Sequence, residues 1–239
     1  MKNNIVTVIG DHHSIGGRDV CGFANRLHTE LYRLDNCSNF AVLSHGVPGN
    51  LRKVSESIPK AVTDTFSYEG DSHCAVLWVG VGDLKAGGIP YAAWESMMEH
   101  CISSLLAADL TVYVVTHSWP FDAKFFEDSW KKWVIKINEI KRSLCKKHGV
   151  RFIRLDLKSD EFVDLYTIKA KAYQYISYQI AKEITNGSTV KKPSNLNEPE
   201  IINRPFRQRV EPVIKSSNNE DQDIGLVLSQ PDRIRQLRR

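Results

Sequence analysis

The sequence predicts an α/β protein, a three-layer α/β/α sandwich around a five-stranded parallel sheet. Five short runs rich in β-branched residues alternate with amphipathic stretches of helical length. The runs largely lack polar alternation, as expected for strands that are buried on both faces of a parallel sheet. Repeated strand–helix units of this length imply right-handed crossovers, which place helices on both sides of the sheet.

The five strands are predicted from the apolar runs, in chain order. They cover Ile5–Ile9, Phe40–Leu43, Ala75–Val79, Thr111–Val115 and Val150–Leu155. The five helices are predicted from apolar residues that recur at a helical period between these strands. They cover Asp19–Leu34, Leu51–Thr65, Tyr91–Ala108, Lys124–His148 and Thr167–Thr185.

The fourth helix has the clearest pattern, because its apolar residues form one stripe and Gly149 is a suitable stop. Its opposite side carries six cations, which we call the basic face: Lys131, Lys132, Lys136, Arg142, Lys146 and Lys147. Such a face is usually only solvated, but it is also the pattern of an RNA contact.

The composition changes near residue 186, which predicts two segments. Residues 1–186 hold the strand–helix pattern, whereas residues 187–239 hold five of the nine prolines and Phe206 as their one aromatic residue. A segment of that composition buries little apolar area, so we expect a basic tail that is flexible or docked on a partner. The partner would be another protein or a second copy of this chain.

Composition excludes several classes of protein. Apolar residues at 42%, charged residues at 25% and a net charge of +4 are ordinary for a soluble globular chain. We find no apolar stretch of the roughly 18–20 residues that a membrane helix needs, so no membrane partner is expected. The five cysteines are scattered without a CxxC pair, which favours reduced thiols and a cytoplasmic location. Neither a phosphate loop nor a GxGxxG dinucleotide fingerprint occurs, so no cofactor is expected.

Polar and glycine-rich segments follow the predicted strands, where ligands bind in open parallel sheets. They read Gly10-Asp-His-His-Ser14, Ser44-His-Gly-Val-Pro-Gly-Asn50, Gly80-Val-Gly-Asp83 and His117-Ser-Trp-Pro120, and Asp164-Leu-Tyr-Thr167 opens the last predicted helix. Their order and spacing resemble the SGNH (GDSL-type) ester hydrolases over residues 4–185. That resemblance implies a flavodoxin-like sheet.

The resemblance also assigns catalytic positions, and most of them hold the wrong residue. His12 stands at the position of the nucleophilic serine, Gly82 at that of the oxyanion-binding asparagine, and Thr167 at that of the general-base histidine. Gly49, the second oxyanion donor, and Asp164, the orienting acid, match the family. Loss of a nucleophile and its base costs on the order of 10⁶ in turnover.

Two chemical alternatives remain open from the sequence. Ser14 is an alternative nucleophile, although it lies two residues beyond the expected position. Several histidines are expected at the strand ends beside Asp83 and Asp164, as ordinary polar loop residues, as a polar binding cleft or as a metal site. These candidate binding residues are His12, His13, His45, His117 and Asp83. Their spacing fits no metal motif, so we expect no metal site.

The sequence therefore predicts a catalytically degenerate SGNH-type protein that acts as a binding or assembly module for a protein or RNA. The C-terminal domain of insect Oskar is a comparable case, since it resembles the same fold, lacks the catalytic triad of the hydrolases and binds RNA. The alternative is an active ester hydrolase that uses rearranged residues, either Ser14 or a His/Asp-bound metal.

Overall fold

A computed structural model of the chain describes residues 2–16, 22–85 and 89–186. In these residues five strands form one sheet in the order β2-β1-β3-β4-β5, and every neighbouring pair is parallel. The strands are β1 (Lys2–Gly10), β2 (Ser38–Gly46), β3 (Ser72–Trp78), β4 (Thr111–His117) and β5 (Arg151–Leu155). The predicted fold class and all five predicted strands are confirmed.

Helices cover both faces of the sheet. The described helices are α1 (His12–Ile15), α2 (Phe23–Leu34), α3 (Leu51–Phe66), α4 (Val81–Lys85), α5 (Tyr91–Ala107), α6 (Asp128–His148) and α7 (Ala170–Thr185), with a 3₁₀ turn at Ser159–Glu161. Apolar side chains of α3, α5 and α6 form the core on one face, and those of α2 and α7 form the core on the other. The three-layer arrangement follows from these two cores.

Three helices begin later than the sequence predicts. The helix predicted over Asp19–Leu34 begins at Phe23, with Gly22 as its N-cap. The last helix begins at Ala170 rather than Thr167, because residues 164–167 form a turn in which the Val163 amide donates to the Thr167 carbonyl. An antiparallel bridge between Phe162 and Ile168 also keeps this segment extended. The fourth helix begins at Asp128 rather than Lys124, after a series of turns.

Two predictions fall partly or wholly outside the described residues. The predicted tail, residues 187–239, lies outside them, and so do residues 17–21 at the start of the predicted first helix. Among the described helices, none has the length and apolar character that a membrane crossing requires.

Candidate functional site

A cleft of about 320 Å³ opens beyond the carboxyl ends of the strands. Its lining consists of His12, Gly82, Asp164, Tyr166 and Thr167. His12 follows β1, Gly82 follows β3, and the other three belong to the segment between β5 and α7. The structure thus brings together the positions that the resemblance assigned to nucleophile, oxyanion donor, orienting acid and base, and it adds Tyr166.

The imidazole of His12 forms one wall of this cleft. His12 is the first residue of α1, directly after the sharp exit from β1. Its ring lies against that of Tyr166, with centroids 5.0 Å apart and planes tilted by 54°. An aromatic pair therefore occupies the place where the resemblance puts a serine hydroxyl.

The turn from Asp164 to Thr167 forms the opposite side. Asp164 Oδ1 accepts a hydrogen bond from the Tyr166 amide (2.9 Å), which closes the turn. Burial, and after it the charges of Asp11 and Asp164, raise the pKa of the Tyr166 hydroxyl. The phenol therefore stays protonated at neutral pH.

Gly82 touches the backbone of the loop after β2. A Cβ atom at Gly82 would lie 1.6 Å from the carbonyl oxygen of Gly49 and 2.5 Å from its carbonyl carbon. Real Cβ contacts are never this short, so the local backbone admits no side chain at position 82. An asparagine side chain that donates to an oxyanion has no room here.

Asp11 anchors the loop that carries Gly82. Its Oδ2 accepts hydrogen bonds from the amides of Gly80 (2.7 Å) and Gly82 (3.1 Å), and its carboxyl is only 1% exposed. Burial raises the pKa of Asp11, although these amides and the Lys141 cation oppose the rise. Asp11 therefore holds the β1 and β3 exits together.

Asp83 was predicted as a binding residue, although the family resemblance implies a mainly structural role for it, and it is absent from the lining of the cleft. It is fully buried, accepts hydrogen bonds from the Leu51 amide at the start of α3, and accepts another from Trp94 Nε1 on α5 (3.1 Å). Burial raises the pKa of Asp83 to about 6. The Asp83 carboxylate thus links α3 and α5 to the loop after β3 by hydrogen bonds.

A buried lysine compensates these two carboxylates. Lys141 on α6 is 1% exposed, and its ammonium donates to the Val79 carbonyl at 2.6 Å. Burial lowers the pKa of Lys141 to about 8, while the charges of Asp11 and Asp83 oppose that fall. The floor beneath the cleft is therefore a buried network of one cation and two carboxyl groups.

Ser14 does not line the cleft, so the structure does not support it as an alternative nucleophile. It is 0% exposed, and its hydroxyl donates to the Asp11 carbonyl at 2.7 Å. A nucleophilic serine must instead reach the substrate and donate to a base. The short helix α1 turns this side chain inward.

His13 and His117 are buried below the cleft, contrary to the prediction that they line it. Their rings lie 4.8 Å apart, among Trp78, Trp119 and Phe162. His13 Nε2 lies 3.1 Å from the Leu165 carbonyl, and Trp78 Nε1 donates to His117 Nδ1 at 3.3 Å. Burial lowers the pKa of His13 to about 3 and that of His117 well below its usual value, so both rings stay neutral at pH 7.

His45 is also absent from the lining of the cleft. Its imidazole points to α3, where Nε2 lies 3.6 Å from Asp64 Oδ2. The predicted histidine cluster therefore separates into a cleft residue, a buried pair and an outlying residue. Within the described ranges, no three His, Cys, Asp or Glu side chains are arranged to hold a metal ion.

The basic face lies on α6, and carboxylates neutralise half of it. Lys132, Arg142 and Lys146 are exposed, and Arg142 lies over the Phe152 ring. The other three cations make ion pairs, Lys131 with Asp128 (2.6 Å), Lys136 with Glu139 (3.2 Å) and Lys147 with Glu99 (2.6 Å).

Comparison with solved structures assigns the fold. A lipase/acylhydrolase from Enterococcus faecalis superposes with a TM-score of 0.60 at 17% identity, over 81% of this chain and 100% of that chain. A catalytic mutant of an acetylxylan esterase from Geobacillus stearothermophilus superposes with a TM-score of 0.61 at 11% identity, over 76% of this chain and 93% of that chain. An SGNH-hydrolase family esterase superposes with a TM-score of 0.50 at 15% identity, over 64% of this chain and 76% of that chain. The chain has the SGNH-hydrolase fold. No family model and no curated protein matches the sequence.

Two residues of the site escaped sequence reasoning. Tyr166 lies inside the segment that resembles the Asp-x-x-His block of SGNH hydrolases, but the family pattern gives that position no role. Lys141 lies on the apolar stripe of α6, between Ile137 and Leu144. A lysine within such a stripe is the signal that could have revealed a buried cation.

Proposed function

We propose that this protein is a catalytically degenerate SGNH-fold protein, a binding or assembly module whose cleft holds a ligand without hydrolysing it. One observation carries the proposal. The cleft has the family location, yet its described lining holds the imidazole of His12 where an ester hydrolase needs a hydroxyl nucleophile. A family cleft without the family nucleophile favours binding over acyl transfer.

The rest of the catalytic apparatus supports the same proposal. Thr167 cannot accept and return a proton near neutral pH, so it does not replace the general-base histidine. Gly82 has no space for a donor side chain, and one lost oxyanion donor alone costs about 10²–10³ in turnover. The three changes affect nucleophile, base and oxyanion donor together.

Partner binding is the second part of the proposal, and a protein fits better than RNA. Three of the six cations on the basic face are already paired with carboxylates, which weakens the attraction of that face for phosphates. RNA binding would show a steep fall in affinity with salt, whereas flat binding between low and moderate salt would exclude it. Assembly through residues 187–239 predicts that truncation after Asn186 changes the oligomeric mass, and an unchanged mass counts against it.

Ester turnover tests the proposal directly. The purified chain should hydrolyse short-chain p-nitrophenyl esters no faster than the buffer, with chelator and with added divalent ions. Parallel measurements on Ser14→Ala and His12→Ala variants identify the source of any activity. Turnover that either substitution abolishes would establish the alternative, a hydrolase with rearranged residues.

A further inference from the structure

We infer that one water molecule is bound beneath the cleft, where it joins His13, His117 and Trp119 by hydrogen bonds. These side chains are 1%, 4% and 7% exposed, and they belong to three segments of the chain, α1, β4 and the loop after β4. None of them lines the cleft, so this site is separate from the one described above and does not depend on whether the cleft hydrolyses esters.

Each of the three side chains has one buried nitrogen without a hydrogen-bond partner in the described part of the chain. These nitrogens are His13 Nδ1, His117 Nε2 and Trp119 Nε1. Buried polar groups in proteins are almost always paired, either with protein atoms or with ordered water. Three unpaired nitrogens in one cluster therefore indicate a shared partner.

The second nitrogen of each imidazole determines whether the unpaired nitrogen donates or accepts. His13 Nε2 lies 3.1 Å from the Leu165 carbonyl, which only accepts, so Nε2 carries the proton and Nδ1 is an acceptor. Trp78 Nε1 donates to His117 Nδ1, so the proton of His117 is on Nε2, which is a donor. Burial lowers the pKa of both rings, which keeps each ring neutral with one proton at pH 7.

The three nitrogens together present two donors, His117 Nε2 and Trp119 Nε1, and one acceptor, His13 Nδ1. Water can both accept and donate, and buried waters typically make about three hydrogen bonds to otherwise unpaired groups. An ammonium ion cannot accept from the two N–H groups, and a carboxylate ion cannot donate to Nδ1. The set therefore matches a neutral donor and acceptor.

The spacing of the rings allows one water to reach all three. The centre of the His117 ring lies 4.8 Å from that of His13 and 4.8 Å from that of Trp119, and the last two are 6.4 Å apart. A water about 2.9 Å from an imidazole nitrogen lies about 4 Å from the ring centre. Rings with these separations can share one water that lies out of the plane of their centres.

This water would connect the wall of the cleft to the end of β4. His13 donates to the carbonyl of Leu165, which belongs to the turn at residues 164–167 in the cleft wall. His117 is the last residue of β4, and Trp119 follows two residues later. The turn and the strand end would thus be joined by a chain of hydrogen bonds through the water.

NMR of the ¹⁵N-labelled full-length chain at pH 7 tests the site. Multiple-bond ¹H–¹⁵N spectra should show Nε2 protonated and Nδ1 bare in both His13 and His117. The His117 Nε2–H and Trp119 Nε1–H protons should each give a ROESY cross-peak at the water frequency with sign opposite to the diagonal, which marks bound water rather than proton exchange. Trp94 Nε1–H is the internal control and should give none, because it is buried and donates to Asp83.

Two variants test whether the water is shared. His117→Phe removes the central imidazole, so the Trp119 cross-peak should disappear together with the water. His45→Phe is the matched control, because this imidazole lies beside Asp64 outside the cluster, and it should keep the Trp119 cross-peak. A high-resolution crystal structure of the parent chain needs no variant and should show one water within about 3.2 Å of all three nitrogens.

Several results would each overturn the inference. They are the opposite tautomer of either histidine, a missing dipolar water cross-peak at His117 or Trp119 in the parent chain, and a Trp119 cross-peak that persists in His117→Phe. A scalar coupling across a direct N–H···N bond from His117 to His13, or a crystal structure without the shared water, would overturn it as well.

Discussion

Substitution of Gly82 by alanine tests why the oxyanion asparagine is missing. The added Cβ would lie 1.6 Å from the Gly49 carbonyl oxygen, where ordinary contacts begin near 3.4 Å, so one backbone segment must move by about 1.8 Å. Movement of Gly82 also disturbs its amide hydrogen bond to Asp11. Overpacking costs about 1–3 kcal/mol and sometimes more, whereas alanine gains at most about 1 kcal/mol of helix propensity.

The two effects have opposite signs, and the clash is the larger one. We expect Gly82→Ala to lower the free energy of unfolding by about 2 kcal/mol, which lowers Tm by about 4–8 °C for a domain of this size. Gly49→Ala is the matched control, because its Cβ would meet only atoms of the Lys53 side chain, the nearest being Cδ at 2.6 Å, and no backbone atom. This flexible side chain can move aside, so the variant should change Tm less than Gly82→Ala does. Thermal and urea unfolding measure both variants. A neutral or stabilised Gly82→Ala variant would refute the claim that position 82 has no room for a side chain.

Three further predictions concern the charges and the catalytic positions. Lys141→Met leaves the carboxyls of Asp11 and Asp83 without a buried cation, so it should lower the free energy of unfolding, measured in urea, by about 3–5 kcal/mol. Lys132→Met, on the exposed side of the same helix, should lower it by less than about 0.5 kcal/mol. The pKa of Asp83 is raised in the folded state to about 6, so its contribution to stability is complete below pH 3.8 and is lost as the pH rises through 6. The unfolding free energy of the parent, measured relative to that of Asp83→Asn, should therefore fall between pH 4 and pH 7, and a rise would contradict the burial of the carboxyl. The double variant His12→Ser/Thr167→His restores a nucleophile and a base but no side-chain donor to the oxyanion, so we expect its kcat to stay at least about 100-fold below that of an active SGNH esterase assayed in parallel.

The sheet and the location of the cleft were predictable from the sequence. Strands that are buried on both faces leave long apolar runs such as Ala75–Val79, and parallel strands place their following residues at one edge of the sheet. In the structure, His12, Gly82, Asp164 and Thr167 line one cleft at that edge. The catalytic roles of these positions came from the resemblance to the SGNH hydrolases, not from the strand pattern.

Side-chain directions within the site were not predictable. His12 and Ser14 are two residues apart, yet the short helix α1 directs the first to the cleft and the second to the Asp11 carbonyl. His45 was expected in the cleft because of its strand position, but the packing of α3 against β2 pairs it with Asp64. These outcomes depend on local turn geometry and on contacts between distant segments, which composition and periodicity do not encode.

Labelling with a fluorophosphonate measures most directly whether the cleft contains an activated hydroxyl nucleophile. We predict that the intact mass of the full-length chain stays unchanged after prolonged incubation, while an active SGNH esterase in the same buffer gains one stoichiometric adduct. A stoichiometric adduct on this chain, mapped by peptide analysis to Ser14, Thr167 or Tyr166, would contradict the account.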